Sequence, residues 1–137
     1  MARAVYIGDQ YRVIKKISRE GNMATVYRCK DDFDNEYAIK LFDKHIGNDD
    51  MEDYQQRSFS REVETLKRAQ HENIVKIFEH DLDDKLNKFY IVLEYIKGRN
   101  FNEAFDDICG YDEYAKLELM DKVLAGVEYL HKRGIIH

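Results

Sequence analysis

The sequence predicts an α+β fold: a five-stranded antiparallel sheet with one helix inserted, a short connector, and helical structure after it. Three observations carry this prediction. Between Tyr11 and Phe42, three runs rich in β-branched and aromatic residues follow one another with turn residues between them. Phe59, Val63 and Leu66 then fall at i, i+4 and i+7, one apolar stripe on a 3.6-residue period. Beyond Gly98 the apolar spacing becomes helical and stays so.

Each element has its own signal. Tyr11–Ser18 mixes apolar and polar residues in a run that reads as the first strand; after a loop around Gly21-Asn22, Thr25–Lys30 reads as the second. Asp31-Asp32-Phe33-Asp34-Asn35 is turn chemistry, because Asp and Asn side chains hydrogen-bond the nearby backbone. Glu36–Phe42 is the third strand, completing a meander. The polar stretch from Gly47 to Asp53 leads into the helix that bears Phe59, Val63 and Leu66. Asn73–Asp81 and Phe89–Tyr95 read as the fourth and fifth strands, joined by Asp83-Asp84-Lys85-Leu86-Asn87. Leu117, Met120, Val123, Leu124, Val127 and Leu130 mark a long amphipathic helix, closed by the C-cap signal Lys132-Arg133-Gly134.

Composition narrows the class. The 137 residues suffice for one ordinary domain or a piece of a larger one. With 44% hydrophobic and 36% charged residues, the chain is expected to be globular and soluble rather than disordered. No run approaches the ~20 apolar residues needed to cross a bilayer. The first residues are too poor in apolar side chains for a secretory signal. Cys29 and Cys109 form no metal-ligand pattern, so a reduced, cytoplasmic setting is expected. A formal charge of -5 supplies no basic field for nucleic acid.

Four features stand in an order that carries chemistry. The loop Arg19–Val26 contains Gly21, and a glycine lets backbone N–H groups approach phosphate oxygens; it also serves as a plain hairpin turn residue. In Tyr37-Ala38-Ile39-Lys40 the period of two puts Ala38 and Lys40 on one strand face, which suits a flat apolar ligand with an anionic end; a lysine snorkelling from a half-buried strand fits the same pattern. Glu62, on the inserted helix, could pair with Lys40 and leave donors for phosphate, or stand in solvent like other helix glutamates. Ile91–Gly98 is an apolar strand opening into a connector whose backbone could read a base edge.

Taken together, the chain from about Tyr11 to His137 resembles the N-terminal part of a eukaryotic-like (Hanks-type) protein kinase, closest to bacterial Ser/Thr kinases. Val26 matches the valine after the Gly-rich loop, and Tyr37-Ala38-Ile39-Lys40 matches the V-A-I-K strand. His71-Glu72-Asn73-Ile74-Val75 resembles the segment between helix C and strand four. Ile91-Val92-Leu93-Glu94-Tyr95 resembles the gatekeeper and hinge, and Leu130–His137 the end of helix E running into H-R-D. The resemblance implies an N-terminal arm at residues 1–10, a kinase N-lobe at 11–95, and a hinge with helices D and E of an incomplete C-lobe at 96–137.

The resemblance also implies roles. Lys40 would hold the α- and β-phosphates of ATP, anchored by Glu62. Ile17, Gly21, Val26 and Ala38 would contact the nucleotide from above. Leu93 would be the gatekeeper, and the backbones of Glu94 and Ile96 would bond the adenine edge. Leu66 and Ile77 would belong to a hydrophobic column with His137 at its foot. The expected function is transfer of the ATP γ-phosphate to protein hydroxyls, with Mg held by residues beyond 137. A docking module without catalysis is the alternative, and a purely structural α+β domain a third reading.

Two departures from the family pattern matter. The three glycines of the loop map to Arg19, Gly21 and Ala24, and the Arg19 side chain is expected either to add a phosphate contact or to weaken nucleotide binding. The sequence stops at the presumed H of H-R-D, so these residues alone are expected to be inactive. The apolar row of the last helix is then expected to drive self-association. Each of its six side chains is worth about 1.5–3 kcal/mol when buried.

Overall fold

The computed structural model describes residues 3–21, 23–43 and 49–136. Its strands are β1 (Tyr6–Ile7), β2 (Tyr11–Glu20), β3 (Ala24–Lys30), β4 (Glu36–Phe42), β5 (Ile77–Asp83) and β6 (Lys88–Glu94). Its helices are α1 (Asp49–Arg68), α2 (Phe101–Cys109) and α3 (Glu113–Lys132). His137, residues 44–48 and Asn22 lie outside the described residues. The strands form one sheet in the order β1-β2-β3-β4-β6-β5, antiparallel throughout. The chain divides into two compact units, one reaching Arg68 and including Lys76–Tyr95, the other made of Ala69–Val75 and the residues from Ile96 onward.

The first unit follows from strand alternation. On β4, Tyr37, Ile39 and Leu41 turn to one face of the sheet, where they meet Ile7, Tyr11, Cys29, Tyr90 and Val92. Burial there pushes the Cys29 thiol up to about 12. Phe42 turns to the opposite face and packs with Ala24, Ile91 and the α1 residues Phe59 and Val63, flanked by Leu66 and Ile77. The Phe59 ring lies 5.4 Å from Phe42 and 4.7 Å from Phe89, so the predicted helical stripe is what seats α1 on the sheet.

Among the described residues six strands stand where five were expected, because residues 6–7 extend the sheet as β1. The added strand pairs Tyr6 with Arg12 and Ile7 with Tyr11. Ile7 is fully buried, and the chain turns back into β2 through Gly8 and Asp9, each at φ 61°. The Gly8 N–H donates to the Asp83 carboxylate at 2.7 Å, and the other Asp83 oxygen accepts the Leu86 N–H at 2.8 Å. A two-residue strand has no alternation to read, so its signal is tertiary.

The fourth strand starts at Ile77 rather than Asn73. Ile74 and its neighbours belong to the second unit, where Ile74 donates its N–H to the His71 carbonyl at 3.1 Å. There the Asn73 side chain donates to the Lys122 carbonyl of α3 at 2.9 Å, and the Gln70 N–H donates to the Tyr129 hydroxyl at 3.1 Å. Gly126 is the buried residue of α3, and a Cβ built on it would lie 3.6 Å from the Asn73 carbonyl. The β-branched run Ile74-Val75, which resembles strand sequence, instead docks a turn onto a helix.

Both helices of the second unit are capped. Asn100 and Glu103 form a reciprocal capping box on α2, and the Asp112 side chain accepts from Ala115 N–H on α3. At the far end, Ile135 donates to Leu130 at 2.9 Å and Gly134, at φ 72°, donates to His131 at 3.0 Å, the two bonds of a Schellman motif. Leu117, Met120, Val123, Leu124 and Val127 are all at least 38% exposed, and Leu130 is half-buried. No described helix is long and apolar enough to cross a membrane.

Gly8→Ala is expected to destabilise the chain by about 1–3 kcal/mol in urea unfolding, because the positive φ disfavours a side chain and the sheet is already full there. The new Cβ would lie 2.3 Å from the Tyr90 hydroxyl oxygen.

Candidate functional site

The register of the sheet assembles one patch on the α1-facing side. Lys40 on β4 stands between Val26 on β3 and Ile91 on β6, and Ala38 stands between Arg28 and Leu93. Since residues two apart share a face, Val26, Ala38, Lys40 and Leu93 lie together. Two apolar residues, a small one and one ammonium make a surface for a flat group with a negative tail.

Glu62 completes the patch from α1. Phe59 and Val63 on either side of it are buried, and that burial sets the rotation of the helix. The Lys40 ammonium then donates to both Glu62 oxygens at 3.0 Å. A second carboxylate, which nothing in the spacing of the sequence singled out, also reaches Lys40: Glu20 at the end of β2, with an oxygen 2.5 Å from Nζ. The side chains differ in exposure, at 12% for Lys40, 31% for Glu62 and 54% for Glu20. Nζ also lies 5.3 Å from the centre of the Phe42 ring. Burial opposes the charge on Lys40, but its hydrogen bonds to Glu20 and Glu62 outweigh that cost and hold its pKa above the ordinary lysine value.

The other expected site residues divide between the two units. Gly21 adopts φ 56° with nothing within 4 Å of where a Cβ would stand, so the turn after β2 uses its conformational freedom and leaves space beside it. Ile17 is exposed and lies at an irregularity in the β2–β3 register, between Lys16 and Ser18. Glu94 ends β6, where its N–H donates to the Lys76 carbonyl at 2.8 Å and its carboxylate accepts from the Lys76 N–H at 3.2 Å. Ile96 is exposed and opens the helical part of the second unit. Arg19 donates from its guanidinium to the Thr25 hydroxyl at 2.9 Å and pairs with Asp43 at 2.6 Å. Neighbouring side chains on a strand point to opposite faces, so Arg19 and Glu20 find separate partners.

Comparison with known proteins decides the family. The sequence profile of the protein kinase domain matches residues 11–137. The chain belongs to the protein kinase family. It is 32% identical over 131 residues to the probable serine/threonine-protein kinase PknB of Lactococcus lactis, covering 94% of this chain and 20% of that protein. With the serine/threonine-protein kinase PrkC of Bacillus subtilis it shares 30% over 132 residues, covering 96% and 19%. The kinase chain thus spans about a fifth of the length of these relatives. Its fold is similar to the solved kinase domain of Mycobacterium tuberculosis PknI, with a TM-score of 0.69 at 22% identity, covering 100% of this chain and 54% of that one. The first unit accordingly has the protein-kinase N-lobe fold, and the helices of the second are the start of a C-lobe.

The three-group cluster of this kinase chain predicts an order of stabilities. Lys40→Met leaves two carboxylates without their counter-charge and is expected to cost about 1–2 kcal/mol in urea unfolding. Glu62→Gln leaves the ammonium its Glu20 partner and is expected to cost less, under about 1 kcal/mol. Equal losses would show that Glu20 does not support Lys40.

Proposed function

We propose that residues 11–95 form the ATP-binding lobe of a protein serine/threonine kinase, which transfers the ATP γ-phosphate to protein hydroxyls. The single observation that supports this most is the Lys40–Glu62 pair, with both carboxylate oxygens 3.0 Å from Nζ, on the sheet face that also carries Val26, Ala38 and Leu93. A lysine oriented by a carboxylate is the part of a kinase that meets the α- and β-phosphates. In this reading Ala38 and Val26 leave room for the purine above the strand, and Leu93 limits the depth of the site. Ile17 and Gly21 belong to the covering hairpin. The backbone of Glu94 meets the adenine edge.

The donor set fits the organic and anionic parts of ATP. It supplies one ammonium and an apolar platform. Magnesium would neutralise phosphate charge when bound; the groups that would hold it, the base that accepts the hydroxyl proton and the activation segment are not assigned among residues 1–137. Residues 1–137 contain neither an H-R-D nor a D-F-G triplet. These residues alone therefore bind nucleotide without transferring phosphate. The reading includes a cytoplasmic setting and a protein substrate.

Titration with ATP is expected to raise the unfolding temperature of the chain, and Lys40→Met is expected to abolish most of that rise. No stabilisation by ATP would favour the docking module without catalysis. Incubation of the 137 residues with labelled ATP and a generic protein acceptor is expected to give no labelled product, and incorporation would refute the assignment of the missing groups. The exposed apolar row on α3 supports self-association as well. Sedimentation is expected to show oligomers that dissociate when Leu117 and Leu124 are changed to Glu, and a single monomeric species would refute this.

A further inference from the structure

The Lys40 ammonium has three N–H donors, and all three are matched by carboxylate oxygens. Two go to Glu62 at 3.0 Å each, and the third position is taken by Glu20 at 2.5 Å. The cluster holds one positive and two negative charges, so it presents a net negative charge to any approaching anion. A phosphate oxygen can bond Lys40 only by taking the place of one carboxylate oxygen. The two carboxylates are not equal competitors. Glu62 binds through both oxygens from a helix seated by Phe59 and Val63, and its side chain is 31% exposed. Glu20 binds through one oxygen from the last residue of β2, is 54% exposed, and precedes Gly21, whose surroundings are open.

We infer that Glu20 is a built-in competitor for anionic ligands: it holds the third donor of Lys40 and must release it to a phosphate oxygen, lowering affinity for nucleotides but not for neutral nucleosides. The inference rests on the nucleotide reading above and deepens it by naming a residue that sets phosphate affinity. Removing the Glu20 charge leaves Lys40 oriented by Glu62 with a donor to spare. Because the displaced Glu20 side chain is more than half exposed, the effect is modest, in the range of an exposed ion pair.

The experiment is calorimetric titration of the 137-residue chain with ATP and, separately, with adenosine, for the wild type, Glu20→Gln and Lys40→Met. Glu20→Gln keeps the side chain's shape at an exposed position, and an unchanged circular dichroism spectrum confirms the fold. The expected result is ATP binding about two- to fivefold tighter in Glu20→Gln, with adenosine binding unchanged. ATP affinity unchanged or weakened in Glu20→Gln, with ATP binding still dependent on Lys40, would overturn the inference and leave the nucleotide reading standing. ATP affinity equal in the wild type and Lys40→Met would overturn the nucleotide reading, and the inference with it. Equal tightening of ATP and adenosine would show that Glu20 acts on the shape of the site rather than on phosphate, and would also overturn it.

Discussion

An ammonium on a half-buried strand face is tolerable only if its charge is met, and in this chain that constraint organises the site. Lys40 extends from the middle of β4, with only 12% of its side chain exposed, among Val26, Ile91 and Phe42. Desolvation alone would drive it toward the neutral form. Glu62 and Glu20 reverse that tendency, and their hydrogen bonds hold the proton on Lys40 more firmly than water does. The requirement reaches outward from one atom: α1 must present Glu62 at a particular rotation, and the β2–β3 hairpin must bring its end over the same strand.

The two hydrophobic clusters of the first unit make that geometry rigid. One lies on the sheet face that carries Ile39 and Leu41 and is closed by Ile7 from β1. The other fills the opposite face, where Phe59 and Val63 hold α1 against Phe42 and Ile91. Lys40 lies on this second face, between the buried Ile39 and Leu41 in sequence, so packing on both sides of the sheet fixes the strand from which it projects. The second unit is built differently. Its long helix is anchored by a turn, through Asn73, Gln70 and the close approach at Gly126, while the apolar row from Leu117 to Val127 stays exposed. Membership of the protein kinase family accounts for both parts, since the family's N-lobe is a sheet with a helix and its C-lobe is helical.

Much of this was legible beforehand. Strands β2 to β4 lie on the runs read as strands, the two faces of β4 alternate between the two clusters, and α1 carries the predicted stripe. Lys40 was singled out by its place beside Ala38 on one strand face, and Glu62 by its place on the inserted helix. Three features were not legible. The strand β1 is too short to show a period. Asn73–Val75 has strand-like composition, yet the hydrogen bonds of Asn73 and Ile74 go to a turn and to α3. Nothing in the sequence pattern singled out Glu20, and Arg19 was read only for its effect on phosphate. Their partners, Lys40 for one and Thr25 with Asp43 for the other, are decided by which way each side chain leaves the strand.

From the residues alone came the alternation of β4, the stripe of α1, the C-terminal cap of α3 and hence the class of fold, because those properties depend on neighbours within a turn or a strand's length. What the tertiary structure decided was which charges meet. Lys40 finds Glu62 twenty-two residues away and Glu20 twenty residues away in the other direction. No local pattern encodes either contact, since both exist only after the hairpin and the helix have closed over the same strand.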